Sequence, residues 1–297
     1  MKHYTSAAPR HDAIWQTTRF RLDLAEPRVM GIVNATPDSF ADGGENADAA
    51  SALRHCERLL HEGAHILDIG GESTRPGSPP LPLADELARV LPVLQGAVRL
   101  GVPVSIDTYK PEVMQAALEL GADIVNDIWA LRQPGAAEVV AGHPSCGVCL
   151  MHMHRDPRTM QAAPMAGDAV PQVLAFLRQR ADAITALGVA RERIVLDPGI
   201  GFGKTVAQNY ALLARQRELL AIGHPLLAGW SRKSSIGTAL QGDAPAPPVP
   251  RERVSGSVAA ALLAVERGAR IVRVHDVRET VQALAVWRAM RAQETGR

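Results

Sequence analysis

Asp197 stands at the end of a short apolar run, at a position where a carboxylate could meet a ligand. Residues 194–196 are Ile, Val and Leu, which is the composition of a buried strand. Pro198 cannot continue a strand ladder, and three glycines follow it at alternate positions. The stretch therefore predicts an anionic group at the mouth of a buried strand, under a glycine loop. A surface Asp-Pro-Gly turn is the alternative interpretation.

The glycines after Asp197 do not identify a nucleotide site. Gly203-Lys204-Thr205 has the form of the end of a Walker loop, but Pro198 occupies the position of that motif's first glycine. Lys204 also occupies the third glycine position of the dinucleotide-binding fingerprint. Both phosphate-binding motifs are therefore excluded.

Polar residues recur at the ends of predicted strands along the whole chain. Chance could place a turn-forming Asp or Asn at a few strand ends, but it is a poor explanation for a series of eight. The carboxyl ends of the strands carry the active sites of barrel enzymes, so the series indicates one shared site. Its members are Asn34, Asp68, Asp107, Asn126, His152, Asp197, Ser231 and His275.

The elements that must position these residues alternate between strand and helix. Apolar runs predict eight strands, at residues 28–34, 65–68, 104–107, 124–126, 147–151, 194–196, 225–228 and 271–275. Apolar residues at helical spacing predict helices near residues 49–62, 87–94, 110–120, 170–186, 254–265 and 277–290, with a possible helix start at Ser234 and Ser235. This alternation predicts the α/β class and a single (β/α)8 TIM barrel over residues 28–297. Residues 1–27 are predicted to be a short N-terminal extension with a hairpin near residues 15–24. A doubly wound open sheet is the alternative fold.

Alternation along two strands indicates which side chains share a face. Arg273 and His275 are two residues apart, as are Ser105 and Asp107, so each pair points to one side of its strand. An arginine and a histidine at the mouth of a barrel predict an anion site, because an inward guanidinium needs an anionic partner. A capping role for His275 is the alternative.

Two further pairs of residues have the spacing of a metal site or a redox motif, but their surroundings argue against both functions. His152 and His154 share a face, but no acidic third ligand stands near them, which argues against a metal site. Cys146 and Cys149 have the spacing of a redox motif, but Cys149 enters an apolar strand instead of opening a helix.

Composition limits the class of protein. The 297 residues carry a formal net charge of +1 without long basic runs, which argues against nucleic acid or an anionic membrane as the main partner. Three cysteines do not make a disulfide framework and favour a reducing compartment. The N-terminus lacks an apolar core of signal-peptide length, and no apolar run is long enough to span a bilayer. We therefore expect a cytoplasmic, soluble protein.

Eight segments of the chain together resemble the successive signatures of the dihydropteroate synthase family. In that family's order they are MGIVNATPDSFADGG, LDIGGESTRPG, VSIDTYKP, VNDI, LMHMHRDPRTMQ, DPGIGFGKT, GWSRKSSIG and IVRVHDV, and they run from Val29 to Val277. The resemblance implies a pterin-binding barrel domain. It also implies the condensation of 6-hydroxymethyl-7,8-dihydropterin pyrophosphate with para-aminobenzoate, giving 7,8-dihydropteroate and pyrophosphate in folate synthesis.

The resemblance also implies roles for individual residues. The pterin is expected to contact Asp107, Asn126, Met151, Asp197, Gly201, Phe202 and Lys233. Two lid loops and the para-aminobenzoate pocket are expected to use Phe40, Thr74, Arg75, Pro76, Phe202, Lys233 and Ser234. The pyrophosphate is expected to meet Asn34, Thr74, Arg75, Arg273 and His275, with Asn34 as a ligand of the Mg2+ cofactor. Asp107, Lys233, Arg273 and His275 are the expected catalytic residues.

Two other functions share a pterin-binding barrel. A methyltetrahydrofolate-dependent methyltransferase domain is disfavoured because Arg273 and His275 and the two lid loops are present. A non-catalytic pterin-binding paralogue is disfavoured because Thr74, Arg75 and Pro76 are present. The family usually forms homodimers through barrel helices, and we expect a homodimer here.

Overall fold

A computed structural model describes residues 14–35, 44–73, 79–157 and 159–294. Eight parallel strands form a closed barrel in sequence order, so that the last strand pairs with the first. The strands are β3 (Arg28–Asn34), β4 (Ile66–Gly70), β5 (Val104–Asp107), β6 (Ile124–Asp127), β7 (Gly147–Met151), β8 (Ile194–Asp197), β9 (Leu226–Ala228) and β10 (Ala269–Val274). The predicted TIM barrel is confirmed, and the open-sheet alternative is wrong.

Helices surround the barrel and cover the outer faces of its strands. They are α1 (Gly44–His61), α2 (Leu83–Ala97), α3 (Pro111–Glu119), α4 (Ala136–Gly142), α5 (Ala169–Ala186), α6 (Val206–Ala214), α7 (Ser234–Leu240), α8 (Val254–Glu266) and α9 (Val277–Glu294). The main apolar core lies between these helices and the strands, where the side chains of both layers are buried.

Two of the helices are absent from the sequence prediction. The helix α4 has only seven residues, too few for a periodic apolar pattern to be read. The helix α6 begins with a capping box, in which Thr205 accepts from the N–H of Gln208 and the Gln208 side chain accepts from the N–H of Thr205. A threonine followed three residues later by a glutamine was a readable start signal.

A hairpin closes the N-terminal end of the barrel. Its strands β1 (Ile14–Gln16) and β2 (Arg21–Asp23) pair antiparallel, in the region where the sequence predicts a hairpin. Trp15 is fully buried among the first residues of the barrel strands, and its indole Nε1 donates to the carbonyl of Arg193 at 3.0 Å. Arg19 pairs with the buried Asp123 at 2.6 Å, just before β6. The extension therefore forms the floor of the barrel.

Candidate active site

A pocket opens at the C-terminal end of the barrel, where active sites of this fold lie. Its walls combine apolar surface with convergent charged groups. The apolar part consists of Ile32, Ile128, Met151, Phe202 and Gly229. The polar part consists of Asp107, Asn126, Asp197, Ser231, Lys233, Arg273 and His275. Residues of six barrel strands, of the loops after them and of the loop after β9 thus meet in one cavity. Five of the eight predicted polar strand ends line it, namely Asp107, Asn126, Asp197, Ser231 and His275, whereas Asn34, Asp68 and His152 do not.

An arginine bridges two carboxylates on one side of this pocket. Arg273 donates from Nε to Asp68 at 2.5 Å and from Nη2 to Asp107 at 2.6 Å. Asn126 donates from Nδ2 to the same Asp68 oxygen at 3.1 Å, so the amide oxygen of Asn126 is left as an acceptor on the pocket side. The anionic partner that an inward Arg273 requires is therefore supplied within the protein by two strands across the barrel.

Asp68 is a site residue to which the sequence assigns no role. It is fully buried, and its second oxygen, Oδ1, has no hydrogen-bond partner within the described ranges. The series of polar strand ends places Asp68 at the barrel mouth, but its pairing with Arg273 depends on how the strands lie in the barrel and has no signal in the sequence. Burial raises the pKa of Asp107, while Arg273 opposes that rise and the charge of Asp68 adds to it. Asp68 thus influences the ionisation of a residue that lines the pocket.

Asp197 lies on the floor of the pocket with one oxygen fixed by its own loop. Its Oδ1 accepts from the N–H of Gly199 at 2.7 Å. A Cβ atom on Gly229 would lie 3.9 Å from Oδ2, so the glycine leaves the space beside this oxygen open. Burial raises the pKa of Asp197, while the Gly199 N–H and the charges of Lys233, Lys204 and Arg273 oppose it.

Lys233 covers the pocket from the loop after β9. Its ammonium donates to the carbonyl of Ile200 and lies 4.3 Å from the centroid of the Phe202 ring, a cation–π contact. Gly201 has φ of +83°, and a Cβ atom there would lie 3.1 Å from Lys233 Cδ, so a side chain at Gly201 would crowd the lysine. Burial lowers the pKa of Lys233 to about 8, while the charges of Asp197 and Asp107 oppose the decrease.

His275 is held by the neighbouring strand end. Its Nδ1 lies 2.9 Å from Ser231 Oγ, and its backbone N–H donates to the same oxygen at 3.1 Å. Arg232, the residue after Ser231, has φ of +58°. It donates from Nε and Nη2 to the two carboxylate oxygens of Asp276, at 3.0 and 2.5 Å. This pair ties the loop that carries Lys233 to the loop that carries His275.

Three of the expected site residues that the structure describes, Asn34, Gly201 and Ser234, are not among the residues that line the pocket. Gly201 lies instead against the side chain of Lys233. Asn34 ends β3 on the same face as the lining residue Ile32, two positions later, so it points toward the mouth of the barrel. Ser234 is exposed at the start of α7. Phe40, Thr74, Arg75 and Pro76 lie outside the described residues.

The two weaker sequence pairs have structural contacts of their own. His152 Nδ1 lies 2.9 Å from the ammonium of Lys204, and among the described residues no three His, Cys, Asp or Glu side chains form a group suited to a metal. Cys146 and Cys149 are buried free thiols, and burial raises the pKa of both, which makes them poor nucleophiles.

Comparison with known proteins gives matches over nearly the whole chain. The family described as pterin binding enzyme matches residues 30–275. The dihydropteroate synthase of Neisseria meningitidis serogroup B is 51% identical over 282 residues, which are 93% of this chain and 97% of that protein.

Solved structures of similar proteins agree with this match. The Burkholderia cenocepacia dihydropteroate synthase complexed with 7,8-dihydropteroate has a TM-score of 0.86 and 52% identity, and the alignment covers 96% of this chain and 99% of that one. The Xanthomonas albilineans dihydropteroate synthase with 4-aminobenzoic acid has a TM-score of 0.85 and 49% identity, over 92% and 96% of the two chains. Within the described ranges, no helix combines the length and apolar composition needed to cross a membrane.

Proposed function

The chain belongs to the pterin-binding enzyme family, and from its likeness to the dihydropteroate synthases we propose that it makes 7,8-dihydropteroate for folate synthesis. It condenses 6-hydroxymethyl-7,8-dihydropterin pyrophosphate with para-aminobenzoate and releases pyrophosphate. The observation that carries this function is the pocket itself, in which the acceptors Asp107, Asn126 and Asp197 and the cations Lys233 and Arg273 converge on one cavity.

The pterin ring lies among the acceptors. Its aminopyrimidinone edge presents several N–H donors. The carboxylates of Asp107 and Asp197 and the amide oxygen of Asn126 accept hydrogen bonds from them. Asp197 takes parallel hydrogen bonds from the ring, as a carboxylate does from a guanidinium. Met151 and Phe202 supply apolar surface for the faces of the ring, and Gly201 lies beside Lys233, which donates to the pterin carbonyl.

The pyrophosphate lies at the end of the pocket that holds Arg273 and His275. Arg273 and His275 are on β10 and directly after it, and Asn34 ends the neighbouring strand β3. An amide oxygen is a suitable ligand for Mg2+, which prefers oxygen donors. This ion usually keeps several of its waters and binds phosphate oxygens of the substrate. Asn34 would hold Mg2+ through its amide oxygen, and the ion would supply charge neutralisation for the pyrophosphate. The family resemblance assigns Thr74 and Arg75 to the pyrophosphate and Phe40, Pro76 and Ser234 to para-aminobenzoate; of these five residues, the structure describes Ser234.

The protein accelerates the reaction by position and charge. The bond between the pterin methylene carbon and the pyrophosphate oxygen breaks with both electrons going to oxygen, and Arg273 and His275 stabilise the departing anion. The methylene cation that remains is delocalised into the ring and stabilised by the carboxylate of Asp107. The neutral amine of para-aminobenzoate then forms the C–N bond and loses its proton to solvent. Lys233 holds the pterin in line for this attack. Because the amine is already unprotonated near neutral pH, no strong base is needed, and direct attack on the cation needs no covalent enzyme intermediate.

The chain acts as a homodimer in the cytoplasm. Exposed apolar side chains on α8 and around α7, among them Leu263 and Leu240, supply a surface for a second copy. The three free cysteines suit a reducing compartment.

The deciding assay is pyrophosphate release with Mg2+ and the dihydropterin pyrophosphate, with and without para-aminobenzoate. We expect release to depend on para-aminobenzoate and to match dihydropteroate formation one for one. Tight pterin binding without turnover would instead identify a non-catalytic paralogue. Omission of Mg2+ with a chelator tests the cofactor, and an unchanged rate would remove it from the proposal.

A further inference from the structure

The most buried cation of the barrel mouth, Lys204, has no role in the reaction described above. It is 3% exposed. Its Nζ lies 2.8 Å from the carbonyl oxygen of Gly199, 3.1 Å from that of Phe202 and 3.3 Å from that of His152, and 2.9 Å from the ring Nδ1 of His152. All four partners can accept, which matches a group that only donates.

His152 is adapted to this contact. Burial, with the charge of Lys204 as the next cause, lowers the pKa of His152 to about 2, so the ring is neutral and its Nδ1 accepts from the lysine. The edge of the ring packs against Phe176, with the centroids 4.9 Å apart. His152 is thereby fixed at the end of β7.

The glycine loop lies directly on this strand end. A Cβ atom on Gly199 would lie 1.8 Å from the carbonyl oxygen of His152, and one on Gly203 would lie 2.6 Å from that of His154. Both glycines have φ of +67°, which side chains rarely adopt. Residues 199–203 therefore follow the backbone of residues 152–154 closely, and Lys204 binds the two segments together.

Fold stability alone is a poor reason for this lysine. An ammonium buried among carbonyl groups loses its hydration, and burial lowers the pKa of Lys204 well below the usual lysine value. Apolar side chains of similar volume often replace buried charges without loss of stability. The loop that Lys204 holds, however, connects Asp197 to Phe202, which both line the pterin pocket.

We propose that Lys204 is a positioning residue of the pterin site, which fastens the glycine loop to His152 and so holds Asp197 and Phe202 against the pterin ring. This inference rests on the proposed function, since it assigns the pocket to a pterin. Lys204 contacts the glycine loop and does not line the pocket in which the substrate is proposed to bind. It is also not in hydrogen-bond contact with Arg273 or His275, which are assigned to the pyrophosphate.

The test is Lys204→Met, measured by calorimetry with 6-hydroxymethyl-7,8-dihydropterin and, separately, with inorganic pyrophosphate and Mg2+. We expect pterin affinity to fall by about 10-fold or more, because the loop loses a network of hydrogen bonds. Pyrophosphate affinity and the melting temperature should be unchanged. Unchanged pterin affinity would overturn the proposal, and so would an equal loss for both ligands together with a lower melting temperature, which indicates a structural lysine.

Three more variants keep the test decisive if Lys204→Met does not fold. His152→Gln keeps an acceptor for the lysine and should retain pterin affinity, whereas His152→Leu removes it and should lose affinity; equal affinity in the two would count against the proposal. Thr205→Ala removes the cap of α6 and should lower the melting temperature without weakening pterin binding. If the wild-type protein binds no pterin, it is the proposed function that fails.

Discussion

The charges of the pocket are paired across the barrel before any substrate arrives. Arg273 holds Asp68 and Asp107 on two adjacent strands, and Asn126 completes the set through Asp68. Such a network fixes the side chains in one arrangement, so little reorganisation is needed when the substrate binds. The same low-dielectric setting makes each unpaired group costly, and substitutions here should therefore have large effects.

Asp197→Asn should weaken binding of 6-hydroxymethyl-7,8-dihydropterin by about 2 kcal/mol, or roughly 30-fold. The amide replaces an anionic acceptor and can present an N–H to the N–H groups of the ring. Calorimetry of the variant measures the loss. Asp182→Asn, an exposed substitution on α5, is the matched control and should bind as the wild type does. Wild-type affinity in Asp197→Asn would exclude this carboxylate as the anchor of the ring.

The affinity for the same pterin should decrease above about pH 8. Burial lowers the pKa of Lys233 to about 8, so the ammonium that donates to the pterin carbonyl is lost above that pH. Lys233→Arg keeps its charge at these pH values and should shift the decrease to higher pH. A wild-type affinity that stays constant up to pH 9.5, roughly the point at which an ordinary lysine still keeps its charge, would contradict this role.

The lowered pKa of Lys233 predicts that stability, unlike pterin affinity, increases with pH. Between about pH 8 and the ordinary lysine value of 10.5, the unfolded chain carries a proton at Lys233 that the folded chain does not. The contribution of this lysine to the free energy of unfolding therefore rises with pH in that window, and is least favourable below pH 8. Melting temperatures of the wild type should accordingly rise relative to those of Lys233→Met as the pH increases from 8 to 10. A constant difference between the two proteins would be inconsistent with the shift.

At the residue scale, alternation along strands was enough to predict inward-facing side chains. Arg273 points into the pocket as its spacing from His275 predicts. The partners of these residues could not be predicted in the same way, because pairing depends on which strands lie across the barrel. Asp68 meets Arg273 over a separation of 205 residues, and His152 meets Lys204 over 52.

At the scale of elements, the carboxyl ends of the barrel strands form the site, and their amino ends form part of the core. The carboxyl ends carry the pocket, whereas the first residues of the strands surround Trp15 from the N-terminal hairpin. Substitutions at the floor of a barrel are expected to affect stability, and substitutions at its mouth are expected to affect function.

Trp15→Ala should reduce the free energy of unfolding by about 3–5 kcal/mol, the usual loss for a large buried aromatic side chain. Trp15 is fully buried, and its indole hydrogen bond to Arg193 is lost as well. Chemical denaturation measures the change, and kcat at a temperature where the variant is folded should remain that of the wild type. Phe20→Ala, at the half-buried turn of the same hairpin, is the control and should lose less. A lower kcat with unchanged stability would mean that the hairpin influences the mouth of the barrel.

Element prediction succeeded where the apolar pattern was long or strictly bounded. The bounds of β3, β5 and β7 agree with the predicted strands residue for residue. The short helix α4 has too few turns for periodicity, and α6 directly follows a glycine loop, whose residues attracted the functional interpretation instead. Length limited the prediction of α4 but not of α6, which has nine residues, as the predicted helix α3 does.

At the scale of the whole molecule, the closed barrel leaves no barrel-strand edge exposed, and the helices form most of its outer surface. The helix α8 packs between α7 and α9, and Leu263 on its outer face is 44% exposed. Leu240 at the end of α7 and Val249 in the following connection are exposed to a similar extent. An apolar surface of this kind on neighbouring elements is typical of an interface between subunits.

Light scattering should therefore give twice the chain mass of 31.7 kDa. Leu263→Glu places a charge on the exposed face of α8 and should shift the protein toward the monomer at equal concentration, because the carboxylate would be desolvated on association. Leu187→Glu, an exposed substitution just after α5, is the matched control and should remain dimeric. A wild-type mass of 31.7 kDa would refute the dimer, whereas a dimer that resists Leu263→Glu but dissociates with Leu187→Glu would move the interface to the α5 side of the barrel.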